Sequence, residues 1–304
     1  MAKIRYSEIF YSFQGEAELA GKPSVWVRFF GCNLECNGFG QADPTNPETY
    51  VLPYQSFDVS SIKRVEDLPV WDYGCDSSYS WSAKYKHLVK DATASEIADI
   101  ITDQLRHSSN PDGLFEHPAT GQDAQLCFTG GEPMMWQGAM QDIVRELKLR
   151  NNAPRTVTVE TNATKPIKAD LVDFINNEFA AEGGSRWHWA MSPKLFGVSG
   201  EKDAVKPFVI KSYCTETYST AILKFVCNGD DEVWDEVSVW TRVIQDEFRN
   251  DGYYPPDVWI MPVGATKGQQ ESADVAKIAM ESMKRGYQVA TRNHCYVFGN
   301  VIGK

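Results

Sequence analysis

The chain has 304 residues, 42% of them hydrophobic and 23% charged, with a formal net charge of −11. That length can bury a substantial core in one large or two small domains, and the fractions are those of an ordinary globular protein. The acidic balance disfavours non-specific nucleic-acid binding, which needs a basic footprint, so no direct nucleic-acid partner is expected. No run of about 18 apolar residues marks a membrane span, so no membrane association is expected. The opening residues Met1-Ala2-Lys3-Ile4-Arg5-Tyr6 lack the apolar core of a signal peptide. The seven cysteines are not spaced as a disulfide framework. In a reducing compartment they read as metal ligands or core residues, and the expectation is a cytoplasmic protein.

Residues 4–13 are aromatic and β-branched and read as extended. They run into Ser12-Phe13-Gln14-Gly15-Glu16, where a glycine at a strand end lets backbone approach a ligand or simply turn. Residues 23–30 form the first strong strand, apolar on both faces as buried parallel strands are. Arg28 is the exception. A buried guanidinium needs an anion, and two partners are open: Glu16, or a substrate carboxylate.

Gly31-Cys32-Asn33-Leu34-Glu35-Cys36 follows directly, with a C-x-x-x-C spacing. Residues 37–74 contain Pro44, Pro47, Pro53 and Pro69 with little periodicity. Loops this long in compact domains are usually functional or mobile, and a flap over the cysteine site is expected. Gly74-Cys75-Asp76-Ser77-Ser78-Tyr79-Ser80-Trp81 then reads as the end of an interrupted cysteine loop.

The spacing predicts a helix over 90–108, with a capping box at Thr93 and Glu96 and an apolar stripe of Ile97, Ile100, Ile101 and Leu105. A short buried strand at 125–129 ends in Thr129-Gly130-Gly131-Glu132-Pro133. Further strands are expected at 156–160, 187–191, 220–227, 257–261 and 287–291, and helices at 135–149, 170–180, 231–249 and 270–285. The strand at 156–160 ends in Glu160-Thr161-Asn162-Ala163-Thr164, and that at 187–191 in Ser192-Pro193-Lys194. Strand and helix alternate about six times, which argues for a parallel α/β sheet or open barrel. In such folds active-site groups collect at the C-terminal ends of the strands, where these polar motifs fall. No second domain is expected.

Three thiolates at Cys32, Cys36 and Cys75 suit a [4Fe–4S] cluster, which normally takes four cysteines. With three, one iron stays open and can be chelated by S-adenosylmethionine, whose one-electron cleavage gives a 5′-deoxyadenosyl radical. Two alternatives remain at this point: a stray pair of core cysteines, and a zinc site completed by a histidine, although none lies near in the loop.

With Gln14-Gly15-Glu16, Arg28, Cys75-Asp76-Ser77, Thr129 to Pro133, Glu160-Thr161-Asn162-Ala163-Thr164 and Ser192-Pro193-Lys194 in this order, the chain resembles the radical S-adenosylmethionine superfamily. Within it, the chain is similar to the 7-carboxy-7-deazaguanine synthase family. The resemblance implies an open partial (β/α)6 TIM-like barrel of the radical SAM type, as one domain over 1–304 with an insertion at 37–74 inside the cluster loop. It implies a lyase that converts 6-carboxy-5,6,7,8-tetrahydropterin to 7-carboxy-7-deazaguanine with loss of ammonia, for queuosine-type biosynthesis. The radical takes hydrogen from C6 of the pterin and later returns it, and a magnesium ion assists.

Carried over by motif, Cys32, Cys36 and Cys75 hold the cluster. Gly74, Cys75, Asp76, Gly131, Glu132, Ser192, Pro193 and Lys194 bind S-adenosylmethionine. Phe13, Gln14, Gly15, Arg28 and Thr129 bind the pterin, with Arg28 on its carboxylate, and Ser77 binds Mg2+. A flavodoxin or ferredoxin as electron donor and a homodimer are also implied. The chain departs from the family where Phe39 fills the usual third cysteine position, where Ser77 replaces threonine, and where Met261 replaces a glutamine. Cys127, Cys214, Cys227 and Cys295 lack cluster spacing and read as core, and His294 reads as structural. Two other readings share the cysteines: an activase that installs a glycyl radical, and a non-catalytic metal-binding scaffold.

Overall fold

The structure is a computed structural model describing residues 2–180 and 183–304. Its nine strands form one sheet in the order β3-β1-β2-β4-β5-β6-β7-β8-β9. They are β1 Ile4–Phe13, β2 Pro23–Phe29, β3 Lys90–Ala92, β4 Gln125–Gly130, β5 Thr156–Thr161, β6 Arg186–Met191, β7 Ser219–Cys227, β8 Asp257–Pro262 and β9 Gln288–Val289. β1 is antiparallel to both β2 and β3, and from β2 through β9 neighbouring strands run parallel. The edges at β3 and β9 do not meet, so the barrel is open.

The parallel strands are nearly continuous apolar runs because both faces are covered. Leu126, Cys127 and Phe128 of β4, Val157 and Val159 of β5, and Trp187 and Trp189 of β6 are fully buried. Each large side chain removed from water in this way contributes roughly 1.5–3 kcal/mol. The helices Ala94–Leu105, Gln137–Leu149 and Asp231–Arg249 lay apolar stripes on the sheet: Ile97, Ala98 and Ile101; Met140, Ile143, Val144 and Leu147; Val233, Val237 and Ile244. The capping box closes as expected, with the Thr93 side chain accepting from Glu96 N and the Glu96 carboxylate accepting from Thr93 N. This fixes where the first of these helices starts.

Several boundaries differ from the sequence expectation. Residues 90–92 pair with β1 before the helix begins at Ala94. Pro207–Glu216 forms a helix that the periodicity does not predict. The stretch at 270–285 splits into Lys267–Gln270 and Ala273–Lys284. β9 shrinks to two residues, and a last helix covers Asn293–Phe298.

Residues 37–74 contain only short turns, at Pro47–Thr49, Pro53–Ser56 and Val65–Asp67. They hold a small apolar cluster of their own: Tyr54, Val59, Val65, Leu68 and Trp71 pack with Tyr79, Tyr85, Leu88 and Ile302. Phe39, Gly40, Val70, Asp72 and Gly74 of this stretch reach the central cavity.

Candidate active site

A cavity of about 560 Å³ opens at the C-terminal ends of the parallel strands. Its wall gathers Phe13, Gln14, Gly15, Arg28, Cys32, Cys36, Gly74, Cys75, Asp76, Ser77, Thr129, Gly131, Ser192 and Lys194. Parallel register explains part of this convergence: Arg28 on β2 pairs with Thr129 on β4, so both motifs end at one level. Ser192 follows the end of β6 and donates its N–H to Thr161 O at 2.7 Å.

The long excursion closes on itself. Gly74 N donates to Phe39 O at 2.8 Å. Cys75 is therefore delivered beside the position that follows Cys36 by three residues, and residues 37–74 leave and return at one place. The three thiols share the cavity wall, and two of them carry N–H donors directed at sulfur: Leu34 N on Cys32 Sγ at 3.4 Å, and Trp81 Nε1 on Cys75 Sγ at 3.4 Å. Burial pushes the Cys32 thiol up to about 12 and raises those of Cys36 and Cys75. Among the described residues no three His, Cys, Asp or Glu side chains stand close enough to hold a single metal ion. A cubane cluster takes one thiolate per iron, so its cysteines stand farther apart than the ligands of one ion. The donor set thus fits a cluster, with the Cys32 and Cys75 sulfurs already accepting from N–H groups.

Gly131 carries a close approach. A Cβ there would lie 2.3 Å from Gly31 O and 2.8 Å from Cys32 Cβ, so any side chain would displace the cysteine loop. Glu132, by contrast, does not reach the cavity wall. It is fully buried, and its carboxylate accepts from Met134 N at 2.9 Å, Thr161 Oγ1 at 2.6 Å and Asn162 N at 2.8 Å. It ties β4 to the turn after β5, and burial raises its pKa against those bonds. Pro193 is buried and also off the wall.

The protein partner of Arg28 is not the expected Glu16. Its Nε donates to Glu8 Oε1 at 2.7 Å, across the antiparallel β1–β2 register, and Tyr79 donates its hydroxyl to the same oxygen at 2.8 Å. Glu16 is therefore not the structural partner. Among the described residues the two Nη groups of Arg28 have no hydrogen-bond acceptor, and the guanidinium lies 5.6 Å from the centroid of the Tyr79 ring. One edge is fixed by protein, and the other faces the cavity.

Glu16 belongs to a second buried network that the sequence reading missed. Lys224, on β7, donates to Glu16 Oε2 and Glu160 Oε2, each at 2.7 Å. Gln14 Nε2 donates to Glu160 Oε1 at 3.0 Å. Arg292 bridges Glu16 Oε1 at 3.2 Å and Asp76 Oδ2 at 2.9 Å. These cations hold the Glu16 carboxyl well below the usual range, and Arg292 lowers that of Asp76, both against the opposing effect of burial. His294 packs here too, and burial followed by repulsion from Arg292 lowers its pKa to about 4, so it is neutral at pH 7.

The Ser77 hydroxyl contacts the third thiol and not the turn that follows it. The Ser77 side chain makes no capping bond to the turn Ser78–Ser80, and its hydroxyl lies 3.5 Å from Cys75 Sγ on the cavity wall.

An open (β/α) barrel with a three-cysteine loop at the C-terminal ends of its strands defines the chain as an enzyme of the radical SAM type. A protein from Halobacterium salinarum named 7-carboxy-7-deazaguanine synthase is 67% identical over 295 residues, which is 95% of this chain and 88% of that one. Proteins of the same name from Rhodopirellula baltica and Pyrobaculum aerophilum are 27% and 24% identical, covering 98% and 99% of this chain and 88% and 98% of theirs. No protein-family model matches the chain. The crystal structure of QueE from Escherichia coli has a TM-score of 0.52 at 15% identity, covering 96% of this chain and 95% of that one, and shares the fold. The chain belongs to the 7-carboxy-7-deazaguanine synthase family.

Proposed function

We infer that this chain is a 7-carboxy-7-deazaguanine synthase, acting on 6-carboxy-5,6,7,8-tetrahydropterin with loss of ammonia. The observation that carries the reading is the Gly74–Phe39 hydrogen bond, which brings Cys75 into one cavity with Cys32 and Cys36 despite the intervening stretch. When bound, the [4Fe–4S] cluster would supply an electron to S-adenosylmethionine at its open iron, giving the adenosyl radical that takes hydrogen from C6 of the pterin.

The protein's own work is positioning. The backbone of Gly131, with Gly74, Asp76, Ser192 and Lys194, would line S-adenosylmethionine, while Glu132 holds that wall from behind. Phe13, Gln14, Gly15, Thr129 and the open edge of Arg28 would hold the pterin, with the guanidinium on its carboxylate. Small misplacements of the reacting carbons are costly. Residues 1–304 read as one radical SAM domain with 37–74 inserted in the cluster loop. A flavodoxin or ferredoxin would deliver the electron, and a homodimer follows from the family. Cysteines kept as free thiols suit a reducing compartment, which supports the cytoplasm.

Anaerobic reconstitution with iron and sulfide tests the cofactor assignment: a brown protein with about four irons per chain is expected. A colourless protein that takes up zinc alone would overturn it.

Substitutions at two residues probe the substrate side. Arg28→Lys removes the planar fork that a carboxylate can grip at two points. The expected outcome is a pterin KM raised about tenfold or more, the scale of about 1.4 kcal/mol for a lost charged hydrogen bond, with uncoupled cleavage of S-adenosylmethionine retained. An unchanged KM would assign Arg28 wholly to Glu8.

Ser77 would be the magnesium ligand, a hydroxyl donor to a hard cation that usually keeps several waters. Ser77→Ala should keep the cluster and lose magnesium stimulation of turnover, and Ser77→Thr should keep both. A magnesium response in Ser77→Ala equal to the parent would move the assignment to Asp76.

A further inference from the structure

We propose that Glu201 is the positioning residue of the cysteine loop, a clamp that fixes the second cluster ligand from the far side of the barrel. The inference rests on the reading of Cys36 as a ligand. Glu201 Oε1 accepts two backbone N–H groups at once, Glu35 N at 2.7 Å and Cys36 N at 2.6 Å. Cys36 needs such help. Its φ is +53°, a left-handed conformation that costs a non-glycine residue about 1 kcal/mol or more and persists only where surroundings enforce it. Two bonds to a carboxylate are stronger than neutral ones and point both amides the same way.

The clamp has its own foundation. Just upstream, Phe196 N and Gly197 N donate to Glu236 Oε1 and Oε2 at 2.8 and 2.9 Å, pinning the turn Phe196–Ser199 to the helix Asp231–Arg249. At the other end of that turn Gly38 N donates to Ser199 O at 2.9 Å. A Cβ on Gly38 would fall 2.6 Å from Ser199 C, so the loop lies directly on this turn. The segment from Ser192 to Glu201 therefore serves twice: Ser192 and Lys194 at its start line the cavity, and Glu201 at its end holds Cys36. Second-sphere groups that orient ligands typically matter about 10- to 100-fold in metal affinity.

Two measurements test this. In the cluster-free protein, hydrogen exchange at the Glu35 and Cys36 amides should be fast in Glu201→Ala and slow in the parent and in Glu201→Gln, whose amide oxygen still accepts. The Gly31 amide, bonded to Ser80 O at 2.8 Å, reports that the fold is intact and should stay protected in all three. In the reconstituted protein, a chelator should strip iron from Glu201→Ala about 10- to 100-fold faster than from the parent, with Glu201→Gln close to the parent. Parent-like exchange at residues 35 and 36 in Glu201→Ala would overturn the clamp, and parent-like iron loss would overturn its bearing on the cluster. A parent that takes up no cluster would sink the functional reading and the cluster role together, while the exchange data would still decide whether the clamp exists.

Discussion

Cys75→Ala is expected to abolish the cluster, leaving a reconstituted protein without iron–sulfur absorbance or cleavage of S-adenosylmethionine. The same loss is expected for Cys32→Ala and Cys36→Ala, because each thiolate would hold its own iron and none is redundant. Cys127→Ala is the matched control. Cys127 is fully buried within β4 at the register of Trp26 and Thr158, away from the cavity wall, so its loss should cost stability alone. Cys75 is the sharpest of the three because 38 residues separate it from Cys36 and only the Gly74–Phe39 closure makes the pair local. Iron content and visible absorbance give the answer directly. A Cys75→Ala protein that retains a full cluster and cleaves S-adenosylmethionine would require another ligand.

Lys224→Ala should cost about 3–5 kcal/mol of stability, the usual consequence of removing one partner from a buried ion pair. Lys224 is 2% exposed and is held between Glu16 and Glu160. Its removal leaves Glu160, half-buried on the cavity wall, with only Gln14 as a donor, while Glu16 keeps Arg292. The loss should shrink as the pH is lowered, where the depressed carboxyls of the parent, Glu16 and Asp76, begin to protonate. The sign follows from their direction: carboxyls lowered in the fold stabilise it above their unfolded pKa, and that stability fades as pH falls toward the folded value. Urea unfolding at neutral and acid pH measures both effects. A loss under about 1 kcal/mol at neutral pH would mean that water reaches the network.

The parallel strands were legible because burial on both faces writes continuous apolar runs, and the long helices because three turns repeat their stripe. The helix Pro207–Glu216 was not, because its stripe is blurred: Phe208 is exposed while Ser212 is buried. The three residues of β3 are too few to carry a period. In the site, the motifs placed the part of the cavity wall at the ends of β2, β4 and β6, since strand ends in such a sheet gather by topology, but not the part made by Lys224, Arg292 and Asn300 to Lys304.

What escaped was pairing. The partner of Arg28 is Glu8, a lone acid inside an aromatic strand, and only the antiparallel register sets them opposite one another. The rule that singled out Arg28 applies equally to Lys224, a lysine between Leu223 and Phe225 in an apolar strand, and would have flagged the second network. The direction of the Glu132 carboxylate, toward Thr161 and Asn162 instead of the cavity, depends on the turn after β5. No local pattern encodes that.

The central claim is tested most directly by incubating the anaerobically reconstituted protein with 6-carboxy-5,6,7,8-tetrahydropterin, S-adenosylmethionine, magnesium and a reductant, and following the product by its ultraviolet spectrum and mass. The account predicts 7-carboxy-7-deazaguanine and ammonia, formed over many turnovers of each S-adenosylmethionine because the hydrogen is returned. A clustered protein that cleaves S-adenosylmethionine yet leaves the carboxypterin unchanged would contradict it.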